Sequence, residues 1–405
     1  MKAERIYYLY SGFVYFFFNM VFAISGVYYV QRVGLNPLEL VLIGTVVETS
    51  AMIFEIPTGV FADSAGRKKS IILGLLIVGL SFVIEGAIPL FWAIILSQIV
   101  AGAGYTFLSG ADVAWVADES ESKNLNGILI RGAQFEQLGS LIGIWFGVLL
   151  AMVALNLPIV LSGISLILFA IILRLVMKER NFRPLGSEKS LAVFFTTFRD
   201  GVRQFRRSRT LAVLLVVGFL IGLYSEGFDR LWILKFLEDL RIPQQLGSKY
   251  LIVFGVVSSG AMVLSMITLA LSKRATADAS SKLLLKYLIG INLVLGFAFI
   301  GFSLSGRLEM ALAFYWAGFA ARRNDYPLYA ALINKQISVS SVRATVISVA
   351  RQFDSFGQIA GGPLIGLVAL RLSSTVALAI TGLLVFPIVV LYFLLLYRNQ
   401  HEDIE

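Results

Sequence analysis

Twelve apolar runs, each long enough to cross a lipid bilayer as a helix, follow one another along the chain and restrict its fold more than any other feature. A bilayer core of about 30 Å needs about 20 helical residues. Because lipid cannot satisfy backbone N–H and C=O groups, such runs must be helical. The sequence therefore predicts an all-α polytopic membrane protein with twelve transmembrane helices. The runs lie at about residues 6–30, 38–62, 70–87, 90–117, 128–154, 157–177, 210–237, 249–272, 281–304, 308–332, 343–369 and 373–397.

Composition agrees with a chain embedded in lipid. Hydrophobic residues make up 58% of the 405 residues and charged residues 15%, whereas about a quarter of a soluble domain is charged. The net charge of +9 comes from basic residues in short loops, so we expect no nucleic-acid partner. The absence of Cys excludes disulfides. With His401 as the one His, metal sites and catalytic dyads built on Cys or His are not expected.

The sequence also lacks the short signatures of several enzyme classes, namely HExxH, GxSxG and GxxxxGK[ST]. We therefore expect neither an enzyme nor an ATP-driven pump, and no cofactor or metal. The first apolar run, from Ile6 to Val30, is longer than a signal-peptide core and is interpreted as a retained first helix.

A polar segment at residues 178–209 separates six predicted helices from six. The predicted organisation is an N-terminal half at residues 1–177, a cytoplasmic linker at 178–209, and a C-terminal half with a short polar tail at 210–405. An even number of helices puts both termini on one side. The distribution of basic loops puts that side in the cytoplasm, so we expect a multi-pass protein of the plasma or inner membrane.

The linker itself carries a periodic pattern. Leu191, Phe194 and Phe198 recur at helical spacing beside Arg199 and Arg203, which predicts an amphipathic helix lying along the inner membrane surface. Partner binding or lipid sensing is the alternative role for this helix.

Two stretches in the fifth and eleventh predicted helices align without gaps, QFEQLGSLIG at residues 134–143 and QFDSFGQIAG at residues 352–361. Both helices hold the fifth place in a group of six. The halves are therefore predicted to be pseudo-symmetric parallel repeats, as in one large class of transporters. Glu136 and Asp354 become equivalent acids in this alignment.

The loop after the second predicted helix reads GVFADSAGRKK and resembles the signature loop of the major facilitator superfamily, Gly-x-x-x-Asp-Arg/Lys-x-Gly-Arg/Lys-Arg/Lys. The matching residues are Gly59, Asp63, Gly66, Arg67 and Lys68, and Ser64 stands where that family usually has a base. The resemblance implies two six-helix halves that rock about a central cavity, with this loop coupling the second helix to the eleventh as an inner gate. A glycine at position 66 allows the tight turn that such a loop needs.

Two acids of the second predicted helix share one face, because Glu48 and Glu55 are seven residues, or two helical turns, apart. Together with Glu85 in the third helix, they resemble the acid set of a Gram-positive-type branch of tetracycline efflux proteins, which implies proton-coupled drug export. Proton-driven exporters usually carry Arg-x-x-Gln-Gly in the fourth helix. Here the corresponding residues are Gln98-Ile-Val-Ala101-Gly102, so Gln98 stands where those exporters have the Arg.

Ionisable side chains inside a bilayer cost about 2.5–3.5 kcal/mol each near a helix centre, so they should be paired or functional. A carboxylate shielded from water holds its proton more strongly, as proton exchange requires. The acids predicted to couple proton movement to transport are Glu48, Glu55, Glu85, Glu136, Glu226 and Asp354.

The basic residues within the apolar runs are the predicted charge partners of these acids. Arg131, Arg322 and Arg351 are the candidates, with no pairing assigned. Asp229 with Arg230, and Arg323 with Asp325, are close in sequence and are expected to pair locally or extend towards the membrane surface. Aromatic residues, at 13% of the chain, are expected mostly to pack and in part to line a substrate cavity.

The predicted function is proton-coupled export of a small amphipathic compound by alternating access. An importer of a metabolite or a lipid flippase with the same fold is the alternative. The expected partners are a small-molecule substrate, protons as the coupling ion and membrane lipids, and the protein is expected to be a monomer.

Overall fold

The computed structural model describes residues 2–122, 124–184, 208–276, 279–337 and 343–401, together with 196, 199, 203 and 205, and its regular structure within these residues is helical. Twelve long helical segments follow in order and confirm the predicted fold class. Their bounds are α1 Ala3–Val33, α2 Pro37–Ala65, α3 Arg67–Ala87, α4 Phe91–Glu119, α5 Leu125–Ala151, α6 Leu157–Val176, α7 Arg209–Asp239, α8 Tyr250–Thr276, α9 Ser281–Leu304, α10 Leu308–Lys335, α11 Arg343–Arg371 and α12 Ser374–Arg398.

Eleven of these segments, among the described residues, are long and apolar enough to cross a membrane. The remaining one, α10, has 28 residues, which is ample length for a span. Its mean apolar character is lower because it carries Arg322, Arg323 and Asp325 near its middle. Charges within a membrane-length helix are costly unless they are paired or hydrated, so the partners of these residues are described below.

Four of the helices begin at a side-chain cap. The side chains of Asn124, Ser208, Ser280 and Ser373 accept hydrogen bonds from backbone N–H groups in the first turns of α5, α7, α9 and α12. The first N–H groups of a helix have no intrahelical acceptor, so these caps fix where each helix begins.

The described chain forms two compact units. Unit 1 comprises Met1–Leu35, Val46–Val193 and Leu246–Val256, and unit 2 comprises Asn36–Thr45, Phe194–Gln245 and Val257–Glu405. The domain boundaries expected from the sequence, at residues 177 and 210, stay predictions. The predicted linker helix falls mainly on residues 185–207, most of which lie outside the described part of the chain.

Each unit contains the same close packing of two helices. In unit 1, α1 packs on α5, and in unit 2, α7 packs on α11. A Cβ built at Gly139 of α5 would lie 2.1 Å from the Gly12 carbonyl oxygen, and one at Gly357 of α11 would lie 2.0 Å from the Phe219 carbonyl oxygen. Gly139 and Gly357 align in the internal repeat, so the repeat in sequence corresponds to a repeat in packing.

Candidate functional site

Most of the signature segment is helical: Gly59 and Asp63 lie in α2, Arg67 and Lys68 begin α3, and Gly66 alone connects the two helices. Gly66 has φ +115°, a left-handed backbone conformation that side chains disfavour. A Cβ at this position would also lie 2.6 Å from Oε2 of Glu179. The backbone conformation therefore favours glycine here, and a side chain would in addition displace the Glu179 carboxylate.

The two basic residues after Gly66 hold this loop to neighbouring segments of unit 1. Arg67 forms an ion pair with Asp118 in the last turn of α4 and donates to the Ala114 carbonyl at 3.0 Å. The Lys68 backbone N–H donates to Oε1 of Glu179 at 3.0 Å, and its Nζ donates to the Met177 carbonyl at 2.6 Å. The loop thus ties α3 to the end of α4 and to the chain that follows α6.

The chain after α6 is anchored to α4 as well. Glu119 accepts backbone N–H bonds from Arg180 at 2.7 Å and Asn181 at 2.6 Å. The indole N–H of Trp115 donates to the Lys178 carbonyl at 3.0 Å. The first residues of the predicted linker are therefore held against the signature loop. The residue types alone gave no sign of Asp118 or Glu179 as partners.

We expect Gly66→Ala to lower the free energy of unfolding by about 1–3 kcal/mol, the usual cost of a side chain in a disfavoured backbone region. The measurement is thermal unfolding of the purified protein in detergent. Gly59→Ala is the matched control, because Gly59 lies within α2 and a Cβ there meets no atom within 4 Å. Equal unfolding temperatures for the two variants would contradict the role assigned to Gly66.

Glu85 of α3 is 2% exposed and is held by neutral donors. Its Oε1 accepts from the Tyr29 hydroxyl at 2.8 Å, and its Oε2 accepts from Nε2 of Gln98 at 3.2 Å. The Tyr28 hydroxyl donates to the Glu85 carbonyl at 2.8 Å. The structure thus joins the predicted proton residue of α3 to Gln98 of α4, the residue that the sequence singled out in the fourth helix.

Unit 2 contains a second set of charges, on α7, α10 and α11. Both Nη atoms of Arg322 donate to the two carboxylate oxygens of Asp229, which joins α10 to α7. The expectation that Asp229 pairs with its neighbour Arg230 was wrong. Consecutive residues point in different directions around a helix, and Arg230 instead pairs with Glu226, one turn earlier, at 3.3 Å.

The Glu226–Arg230 pair lies directly against a glycine of α2. A Cβ built at Gly44 would lie 1.9 Å from Oε2 of Glu226 and 2.6 Å from Nε of Arg230. Glu226 is 3% exposed, so the ion pair is packed into unit 2 with the first turns of α2. A side chain at position 44 would displace the pair.

Two further acids of unit 2 have amides as their hydrogen-bond partners. Oδ1 of Asp325 accepts from Nδ2 of Asn292 on α9 at 2.6 Å, and Asp325 is 2% exposed. The expected local pairing of Asp325 with Arg323 was therefore also wrong. Oδ2 of Asp354 accepts from Nε2 of Gln358 at 3.1 Å, while its Oδ1 is buried without a hydrogen bond among the described residues.

Arg322 lies within electrostatic range of all three of these carboxylates, Asp229, Asp325 and Asp354. Asp325 and Arg322 are three residues apart on α10 and so lie on one face of that helix. The arrangement places one guanidinium among three acids from three helices. We call Asp229, Arg322, Asp325 and Asp354 the unit 2 charge cluster.

Aromatic side chains pack beside the charge cluster. The rings of Phe228 and Phe299 stack with centroids 3.8 Å apart, and Tyr315 stacks on Phe228 at 5.6 Å. Phe228 and Phe299 are at most 1% exposed, so they form packed core. The packed rings of Phe228, Phe299 and Tyr315 make this part of the surroundings of the charge cluster apolar.

The remaining predicted residues occupy varied surroundings. Glu55 is exposed and Glu48 and Glu136 are half-buried, all three in unit 1. The Arg131 guanidinium lies 5.8 Å from the centre of the Tyr8 ring, and Arg351 donates to the Tyr326 hydroxyl at 2.5 Å. Within the described residues, Arg322 is thus the predicted partner whose ion pair joins two helices.

Comparisons with known proteins agree with this architecture. A family model described as Major Facilitator Superfamily matches residues 8–336. The uncharacterized MFS-type transporter YxaM of Bacillus subtilis (strain 168) is 21% identical over 363 residues, which cover 88% of this chain and 86% of that protein.

Solved structures share the fold at low sequence identity. A bacterial homolog of the human lysosomal transporter Spinster has a TM-score of 0.75 at 16% identity, covering 98% of this chain and 96% of its own. A mutant of the nucleoside transporter NupG has a TM-score of 0.79 at 11% identity, with coverages of 97% and 99%. At such identities the similarity shows the fold alone.

Proposed function

The chain belongs to the major facilitator superfamily, and we propose that it is a proton-coupled secondary transporter of a small organic compound. Proteins of this family are transporters and not enzymes. One observation supports proton coupling most. Asp325 and Asp354 lie within membrane-length helices, their direct partners are neutral amides, and the nearby Arg322 is occupied by Asp229.

The proposed coupling step is an exchange of partners at Arg322. A protonated Asp325 carries no charge, so the guanidinium stays with Asp229 and holds α10 against α7. Loss of the proton puts a negative charge one turn from Arg322, and this charge competes with Asp229 for the guanidinium. The ion pair between α7 and α10 weakens when this happens, which makes the packing of unit 2 depend on the proton.

The sequence-predicted acids of unit 1 keep their proposed role in proton coupling, in addition to the role proposed for the unit 2 charge cluster. Glu85 is the best supported, because it is buried and its carboxylate accepts hydrogen bonds from the neutral groups of Tyr29 and Gln98. Glu55 is exposed, so its proton would exchange readily with water. Glu48 and Glu136 remain proposed participants.

Export of a small amphipathic compound is the direction that we propose, from the resemblance of the acid set to drug efflux proteins. Import of a metabolite is the second candidate. One solved neighbour is described as a nucleoside transporter and another as a POT family transporter in complex with a thioalcohol conjugated peptide, so nucleosides and peptides are the substrate classes to test. A substrate panel of tetracycline, nucleosides and short peptides, measured in right-side-out and everted vesicles, separates the candidates.

We expect Asp325→Asn to reduce uphill transport to the passive level, because the asparagine imitates the protonated acid and cannot release a proton. Exchange of labelled for unlabelled substrate at equal concentrations should continue. The measurement is flux into proteoliposomes with and without an imposed pH gradient. Glu121→Gln is the control, since Glu121 is exposed and outside the cluster. Gradient-driven accumulation by Asp325→Asn at the wild-type level would refute the proposed coupling site.

A further inference from the structure

A groove with a volume of about 630 Å³ runs between α8, α9 and α10 of unit 2, apart from the charge cluster. Its size lies within the range of sites for small organic ligands. One end is lined by apolar residues, among them Leu264, Val294 and Ala317. The other end is polar, with Ser272, Lys286 and Asn324. A ligand that matches this change from apolar to polar lining residues is an amphiphile, with an apolar part at one end and a polar part at the other.

Small residues create the groove. Gly290 of α9 and Ala320 and Ala321 of α10 line it, and a Cβ built at Gly290 would meet no atom within 4 Å. Its length is set by Leu264 and Ser272, eight residues apart on α8, which is roughly 12 Å of helix. That is less than half of a bilayer core of about 30 Å. The groove therefore matches the apolar part of a single leaflet.

Basic residues surround the polar end. Lys286 lines the groove and is exposed, and none of the lining residues is acidic. Arg274 lies in the last turn of α8, and Lys282 in the first turn of α9, at the same end. This is the side that the loop charges predict to be cytoplasmic. Basic pockets between transmembrane helices on that side attract anionic lipid head groups.

A buried polar atom also faces this end. Asn324 is 3% exposed, and its Nδ2 donates to Thr268 Oγ1 and to the Ala320 carbonyl, each at 2.8 Å. Its Oδ1 is buried and has no hydrogen-bond donor among the described residues. A buried acceptor without a donor is unfavourable. A ligand hydroxyl in the groove would donate to this atom only after the Asn324 side chain rotates towards the groove.

We propose that this groove binds one anionic phospholipid, with an acyl chain between α8 and α10 and its phosphate at Lys286. The apolar end accommodates the chain, and the charge at the polar end selects an anionic over a zwitterionic head group. This site is independent of the proposed transport function, because it shares no residue with the charge cluster.

The test is thermal unfolding of the full-length protein in detergent, titrated with dioleoyl phosphatidylglycerol or with dioleoyl phosphatidylcholine. Phosphatidylglycerol should raise the unfolding temperature saturably, since a ligand that binds the folded state stabilises it. Lys286→Gln should weaken the apparent affinity about fivefold, the loss expected for one cation near an anionic surface. Gly290→Leu should remove the response by filling the groove.

Arg307→Gln is the control, because it removes an equal charge at the opposite end of α9 and should leave the titration unchanged. Equal responses to the two lipids, an unchanged response in Lys286→Gln, or the same stabilisation by inorganic phosphate alone would each overturn the proposal. If Gly290→Leu does not fold, Lys286→Gln decides the matter, since an exposed side chain can be exchanged without disturbing packing. The proposal would also be overturned if phosphatidylglycerol had no effect on the unfolding temperature while the transported compound raised it, and Gly290→Leu abolished that rise. The groove would then be assigned to the substrate.

Discussion

Replacing Arg322 with glutamine is expected to abolish proton-driven accumulation of substrate and to lower the free energy of unfolding by about 1–3 kcal/mol. Removing one partner of a fully buried ion pair costs about 3–5 kcal/mol. The cost should be lower here, because the Arg322 side chain is 27% and the Asp229 side chain 38% exposed. Proton-driven accumulation should be lost while the protein stays folded, because Arg322 is the one guanidinium of the charge cluster and the group whose partner changes in the proposed step. Proteoliposome flux and thermal unfolding measure the two effects separately.

The neighbouring arginine provides the control for this prediction. Arg323 is exposed, so Arg323→Gln should keep both transport and unfolding temperature near those of the wild type. The double variant Asp229→Asn with Arg322→Gln should recover part of the lost stability, since neither charge is left unpaired, but it should not recover coupling. Normal gradient-driven transport by Arg322→Gln would exclude the proposed exchange of partners.

The fold followed from the sequence because one physical requirement, a helix of about 20 apolar residues per crossing, acts locally along the chain. The predicted run at 281–304 has the same bounds as α9, and the run at 38–62 falls within α2 at Pro37–Ala65. Even α10 was found, in spite of its charges. The repeat at 134–143 and 352–361 likewise indicated matching helices, which pack alike in the two units.

The charge partners did not follow from the sequence, because pairing between helices depends on their positions and rotations. Asp229 and Arg322 are 93 residues apart, and Asn292 is 33 residues from Asp325. One pair could have been predicted: Glu226 and Arg230 have the i, i+4 spacing that brings side chains together on a helix, whereas adjacent residues diverge.

The aligned glycines of the internal repeat, Gly139 and Gly357, are expected to be essential for the packing of their helices. Gly139→Ala and Gly357→Ala should each lower the free energy of unfolding by about 3 kcal/mol, at the upper end of the usual cost of overpacking. The new Cβ would lie 2.1 Å and 2.0 Å, respectively, from a backbone carbonyl oxygen, which cannot rotate away as a side chain can. The paired helices would have to separate. Thermal unfolding and the yield of monodisperse protein measure the effect.

Gly290→Ala is the matched control, because Gly290 is also helical but has open space where the Cβ would go. Alanine is favoured over glycine within a helix by about 1 kcal/mol, so this variant should be neutral or more stable. Similar losses at Gly139 and Gly357 would show that the two helix pairs depend on the same backbone contact, as the repeat requires. If Gly357→Ala kept the unfolding temperature of the wild type while Gly139→Ala lost it, the close approach of α7 and α11 would not be needed for stability.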